Sequence, residues 1–230
     1  MSSLEKPVVN WFKKNKRELP WRNTSPWGVM VSEYMLQQTP VNRVLPKWHE
    51  WMERWPTPKH LASATPAQVI TAWGRLGYPR RALRLHAAAQ IIAEDFNNQV
   101  PEDQETLQLL PGIGEYTAAA IAAFAFEQRS LVMDVNIRRL LVRAIDGQEH
   151  PKPAPTAQEK ARRLAILPTK NAHVWAAATM ELGALVCTSK NPSCELCPII
   201  GQCNWRKNGY PKTELVRKSQ DWHGTDRKCR

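Results

Sequence analysis

Leu110-Pro111-Gly112-Ile113-Gly114-Glu115-Tyr116-Thr117-Ala118-Ala119-Ala120-Ile121 sets the reading of the whole chain. It lies within residues 101–126, PEDQETLQLLPGIGEYTAAAIAAFAF, which read as a short helix, a tight Pro-Gly-Ile-Gly turn and a second helix: a helix-hairpin-helix pattern. Gly112 and Gly114 carry no side chain, so the turn's backbone can approach a ligand closely. The second helix starts at once, and its free N–H groups point out of the turn and suit a phosphate. An ordinary connection between two packed helices would read the same way. A dinucleotide fingerprint is disfavoured, because Thr117 holds the third glycine position and no strand precedes the turn.

Helical text continues on both sides. Ala-rich segments carry apolar residues three and four apart, broken by Pro and Gly, without a convincing alternating strand, so the chain reads as all-α. Thr65-Pro66-Ala67-Gln68 predicts a helix start with a capping box, and Gly77 is the expected close of that helix. Residues 147–155 read as a loop after the helix that begins past Asp134. No internal repeat is visible.

The 230 residues carry 32 Lys+Arg against 21 Asp+Glu, a net charge of +11, with 43% apolar residues. Such a chain can build a real core, which excludes wholesale disorder. Its longest wholly apolar run, Ala118 to Phe126, has nine residues, whereas a bilayer crossing needs roughly 20. Charges at Glu5, Lys6, Lys13 and Lys14 break any apolar core that a signal peptide would need. The chain is expected in the cytoplasm, at the nucleoid in a bacterium, without a membrane partner and as a monomer. Excess positive charge points to a polyanion, of which nucleic acid is the commonest. Residues 206–230 hold eight Lys+Arg against three Asp+Glu and read as a solvated or DNA-tracking arm.

Cys187, Cys194, Cys197 and Cys203 fall within seventeen residues, at intervening spacings of six, two and five, with Cys229 apart. Such clustering in a reducing compartment argues for metal over disulfides. Zinc prefers two close pairs with a longer spacer, and four thiolates in one compact loop suit an iron–sulfur cube. Spacing alone leaves both open. Asp134, eighteen residues after Tyr116, precedes Val-Asn-Ile-Arg-Arg-Leu, and its ordinary role there is a helix N-cap.

Taken in order, the Leu-Pro-Gly-Ile-Gly-Glu-Tyr hairpin, Val132-Met133-Asp134-Val135-Asn136 and the four-cysteine loop resemble the helix-hairpin-helix DNA glycosylases. Leu19-Pro20-Trp21-Arg22, Ser32-Glu33-Tyr34-Met35-Leu36-Gln37-Gln38-Thr39 and Met180-Glu181-Leu182-Gly183-Ala184 narrow the resemblance to adenine DNA glycosylases, and it covers nearly all of residues 5–210. One departure is Asp134-Val135-Asn136, where Asp-Gly-Asn is common.

The resemblance implies a two-lobed all-α fold. Residues 22–129 would form a six-helix barrel, residues 1–21 with 130–210 a [4Fe–4S] lobe held by the four cysteines, and residues 211–230 a basic tail. It implies a partner, double-stranded DNA with adenine mispaired with 8-oxoguanine or guanine. Glu33 would be the general acid that protonates adenine, its pKa raised by burial against Trp21, and Asp134 the anion facing the cationic sugar. Tyr116 would border the site. Trp21, Arg22 and Glu181 would line the adenine pocket, while Gln37, Gln38 and Tyr78 would enter or support the gap left by the extruded base. Trp21 and Tyr78 would serve equally as packed aromatics, and Arg22 as a phosphate contact.

Members that also cut the strand, typified by endonuclease III, carry a lysine where this chain has Tyr116, so no Schiff base and no lyase activity are expected. Adenine glycosylases typically continue into a C-terminal domain that reads 8-oxoguanine, and this sequence ends 27 residues after Cys203. The preference for 8-oxoguanine over guanine opposite adenine therefore stays open. Two competing readings are a mismatch thymine glycosylase, which the full Glu33 motif argues against, and a catalytically silent DNA-binding module, against which Glu33, Tyr116 and Asp134 count.

Overall fold

The computed structural model describes residues 3–212; nearly all of the expected basic tail lies outside the described residues. Twelve α-helices occur among them: α1 (Glu5–Asn15), α2 (Pro26–Leu36), α3 (Val41–Arg54), α4 (Pro58–Ala62), α5 (Pro66–Trp73), α6 (Arg80–Asp95), α7 (Gln104–Leu109), α8 (Glu115–Phe126), α9 (Val135–Leu141), α10 (Ala157–Ile166), α11 (Ala172–Leu185) and α12 (Asn204–Lys207). No strand occurs among the described residues.

Two hydrophobic cores organise these helices. The first draws on α2 to α8 and is rich in tryptophan: the ring of Trp51 stands edge-on to Trp55 at 4.8 Å and to Trp73 at 5.4 Å. Each such indole buries on the order of 200 Å², and truncating one costs about 3–5 kcal/mol. The second core gathers α1, α9 and α11, with Val8, Phe12, Ile137, Leu140, Trp175 and Leu182 at its centre. The N-terminal helix therefore packs beside segments more than 120 residues away in sequence.

α8 is the wall that both cores share. Ala118 and Ile121 face the first, Ala120 and Ala123 the second, and Thr117 to Ala123 are all buried. A helix apolar on every side has no solvent face, and alanine lets neighbours approach it from two directions. α2 is likewise buried from Trp27 to Met35.

Local signals act as the sequence predicts at most joints. Thr65 accepts from the Gln68 amide while the Gln68 side chain accepts from the Thr65 amide, a complete capping box. The close of that helix differs from the expectation: α5 ends at Gly74, with φ +56, and Gly77, with φ +83, closes the following single 3-10 turn. Both glycines adopt conformations open to them alone, and the first one reached stops the helix.

Candidate active site

Glu33 sits one turn before the end of α2 and is 7% exposed. It borders a cleft of about 270 Å³ between the two cores, shared with Trp21, Arg22, Phe124, Met180 and Glu181. Burial pushes the Glu33 carboxyl up to about 8, and the negative charge of Asp134 adds to the rise, while a hydrogen bond from the Tyr116 hydroxyl opposes it. A carboxyl in this state still holds its proton near neutral pH.

Tyr116 stands in the first turn of α8. Burial raises its phenol well above the ordinary value, and the Glu33 and Asp134 charges push the same way, so it remains a donor. Asp134 is the N-cap of α9: Oδ1 accepts from the Asn136 amide at 2.6 Å and the Ile137 amide at 3.3 Å. The ordinary capping role is thus present, and it fixes the carboxyl at the electropositive end of the helix with its charge directed at Glu33 and Tyr116.

Glu181, only 1% exposed, does not stand unpaired in the cleft. The Arg17 amide and Nε donate to its Oε1 at 2.8 and 2.9 Å, Arg17 Nη2 to Oε2 at 2.7 Å, and Arg22 Nη2 to Oε2 at 2.9 Å. Arg22 also lies 5.2 Å over the Phe12 ring. Sequence reasoning missed Arg17, which sits in a run with Lys13, Lys14 and Lys16 that reads as solvated charge. Trp21 is packed, 9% exposed and edge-on to Trp48 at 6.1 Å, yet its ring still lines the cleft.

Gln37, Gln38 and Tyr78 are not lining residues of that cleft. They occupy two neighbouring turns, one after α2 and one before α6, with Gln38 exposed and Tyr78 67% exposed. The hairpin turn runs from Leu110 to Gly114. At Gly112, φ is +89 and an added Cβ would lie 2.9 Å from the Tyr34 ring, whereas a Cβ at Gly114 would meet nothing within 4 Å. The fold therefore requires the first glycine and leaves the backbone at the second open to solvent.

The four cysteines of the loop line one cavity, with Leu140, Arg143, Ile199 and Trp205, and all four are free thiols. Burial raises Cys187, Cys194 and Cys197, the last to about 11. Thiols so shifted become thiolates only when a metal charge compensates. Among the described residues no group of three or more His, Cys, Asp or Glu stands arranged to hold a metal ion. Arg143 is buried in the same wall, donating to Cys187 Sγ at 3.4 Å and to the Thr188 carbonyl at 2.7 Å, and it lies 4.6 Å over the Trp205 ring. Its placement four residues after Arg139, on one helical face, was the available signal.

Hairpin, buried acid and capping carboxylate together define a class of DNA repair protein. The chain belongs to the HhH-GPD superfamily of base excision DNA repair proteins, whose family model matches residues 31–165. It is similar to the adenine DNA glycosylase of Mycobacterium tuberculosis, 49% identical over 227 residues that span 97% of this chain and 74% of that protein. The adenine DNA glycosylase of Mycolicibacterium smegmatis is 46% identical over 232 residues, 100% of this chain and 78% of that protein. A thermostable thymine-DNA glycosylase superposes with a TM-score of 0.80 at 19% identity, over 89% of this chain and 95% of that one, which shows a shared fold. No helix among the described residues is long and apolar enough to cross a membrane.

Proposed function

We propose that this chain removes adenine from double-stranded DNA in which it is mispaired with 8-oxoguanine or guanine, by hydrolysis and without cutting the strand. The observation that carries this reading is the Glu33 carboxyl, buried at the cleft and raised to about 8 by burial and by the charge of Asp134. Adenine is a poor leaving group until a ring nitrogen is protonated, and the deoxyribose becomes cationic as the bond breaks. Glu33 gives its proton to the ring as the electron pair of the glycosidic bond passes to adenine. The Asp134 carboxylate stabilises the sugar cation. Water then adds to the sugar carbon, and its proton returns to Glu33.

Tyr116 holds the Glu33 carboxyl in place through its hydroxyl. A phenol forms no Schiff base, which supports hydrolysis without lyase chemistry. Trp21, Arg22 and Glu181 receive the base, Gly112 and Gly114 grip phosphate, and Gln37, Gln38 and Tyr78 enter the gap in the duplex. Cys187, Cys194, Cys197 and Cys203 would hold a [4Fe–4S] cluster, whose chemistry here is structural: it would fix a loop that carries Lys190 and is followed in sequence by Arg206 and Lys207. One cavity lined by all four sulfurs supports this reading of a cluster. The lobes 22–129 and 1–21 with 130–210 belong to the same reading, although Trp21 joins the first core and Ala120 and Ala123 join the second. A monomer acting in the cytoplasm, on nucleoid DNA, completes the reading.

Single-turnover incubation with end-labelled duplexes tests it, using adenine opposite 8-oxoguanine, adenine opposite guanine and thymine opposite guanine, each split with and without alkali. Breaks at adenine only after alkali are expected. Breaks at thymine, or breaks without alkali, would overturn it.

A further inference from the structure

Arg81, near the start of α6, is 7% exposed and belongs to no ion pair described above. Its Nη1 donates to the carbonyls of Tyr34 at 3.0 Å, Met35 at 3.1 Å and Gln37, which close the C-terminal end of α2. Its Nη2 donates to Thr39 Oγ1 at 2.9 Å and to the carbonyls of Leu76 at 3.2 Å and Gly77 at 3.1 Å. The guanidinium also lies 5.1 Å over the Trp73 ring and 5.8 Å over the Tyr78 ring. One buried fork thus joins two turns that are almost 40 residues apart in sequence.

Both turns are held in an uncommon backbone state. Gln38 has φ +55 and Tyr78 has φ +48, each a non-glycine residue in the left-handed region, and both are exposed. Such conformations persist only where the surroundings over-determine them, and they gather at functional positions. Here the surroundings are Arg81, which ties the turn carbonyls together from beneath. The same α2 carries Glu33 just before the carbonyls that Arg81 caps.

We infer that Arg81 is a positioning residue that locks the Gln38 and Tyr78 turns into one rigid wedge for opening the duplex and fixes that wedge to the helix bearing Glu33. This rests on the reading of the chain as a base-extruding glycosylase. Extrusion costs unstacking energy, and a wedge supplies it only if its two halves cannot slide apart. A lysine would keep the charge but lose the fork, and could not reach both turns at once.

The test compares the wild-type chain with Arg81→Lys on two duplexes: adenine mispaired with guanine, and adenine opposite an abasic site, where no opposing base holds it in the helix. The variant is expected to lose about tenfold or more in single-turnover excision from the mispair and less than about threefold from the unpaired adenine, since unstacking is cheapest for an unpaired base. Gly77→Ala, which strains at φ +83 the turn whose carbonyl Arg81 binds and leaves the guanidinium itself in place, should give the same selective loss, and it keeps the test alive if Arg81→Lys does not fold. Fluorescence of 2-aminopurine placed beside the mispaired adenine reads opening apart from chemistry. It should rise on wild-type binding and stay low with Arg81→Lys at saturating protein.

Equal losses on both duplexes, or unchanged fluorescence between wild type and Arg81→Lys, would overturn the inference. Failure of wild type to release adenine from either duplex would instead overturn the glycosylase reading. In that case the fluorescence comparison still decides the role of Arg81.

Discussion

Glu33 is held beside Asp134 although the two residues are 101 positions apart, one from the buried α2 and the other at the N-terminus of α9. Two carboxyls enclosed together do not both ionise easily, because each charge raises the cost of the other. The surroundings keep the proton on Glu33. Glu33 is buried and raised to about 8, and Asp134 accepts two backbone N–H groups at a helix N-terminus. Glu33 is set apart as the proton-holding member of the pair before any substrate enters.

A stability measurement checks this division. The folded-state pKa of Glu33 is raised from 4.5 to about 8, so between these values the native state holds a proton that the unfolded state has lost. Stability should then fall as pH rises through this window, by about 1.4 kcal/mol per pH unit from this group alone. Glu33→Gln, a neutral isostere, should melt higher than wild type at pH 8, with the gap closing near pH 4.5. The same variant should retain DNA binding while losing about 10²–10⁴-fold in excision. In wild type, excision should decline as pH rises past about 8. Melting curves that remain parallel across the window would remove the buried-acid assignment.

The hairpin glycines separate folding from binding. Gly112→Ala must force φ +89 on an alanine and press its Cβ to 2.9 Å from the Tyr34 ring and 3.0 Å from Arg84 Cβ, a strain of about 1–3 kcal/mol. Gly114→Ala meets nothing, and as the N-cap of α8 should cost no more than about 1 kcal/mol. If a phosphate approaches that backbone, Gly114→Ala should weaken duplex binding several-fold while leaving the urea midpoint almost unchanged.

The parts legible in the sequence were those whose cause is local. The two ends of the hairpin, the Thr65 capping box and the Asp134 cap each depend on residues within four positions, and each occurs as read. The arginine side chains were not legible. Arg17, Arg81 and Arg143 are held by carboxylates, carbonyls and sulfur from distant segments. A sequence displays an arginine's charge but not the backbone carbonyls that will surround it. Gly74 shows a smaller limit: two glycines three residues apart both permit a helix stop, and the sequence does not rank them.

Glu181 should be a structural hinge of the cleft. Burial alone would raise its carboxyl, but hydrogen bonds from Arg17 and the charges of Arg22 and Arg17 outweigh this and hold it below the ordinary value. Its contribution is therefore present above pH 4.5 and lost as pH falls through the lowered pKa. Glu181→Gln should cost about 2 kcal/mol at neutral pH, the scale of a hydrogen bond to a charged group. The deficit should shrink in acid, read as the urea midpoint at pH 7 and pH 4.

The cysteine cavity gives the sharpest chemical outcome. Three of its thiols are pushed up by burial, Cys197 to about 11, so without metal they stay protonated at neutral pH and repel no one. Binding of a cluster converts them to thiolates and releases protons, which couples the metal to the folding of this loop. Purified protein should contain about four irons per chain and absorb visible light. Cys194→Ser and Cys197→Ser should each lower the iron content and the melting temperature together, because the cavity's walls include Leu140 from α9 and Trp205 from α12. A colourless protein with one zinc per chain would replace the cluster with a single ion and overturn the assignment.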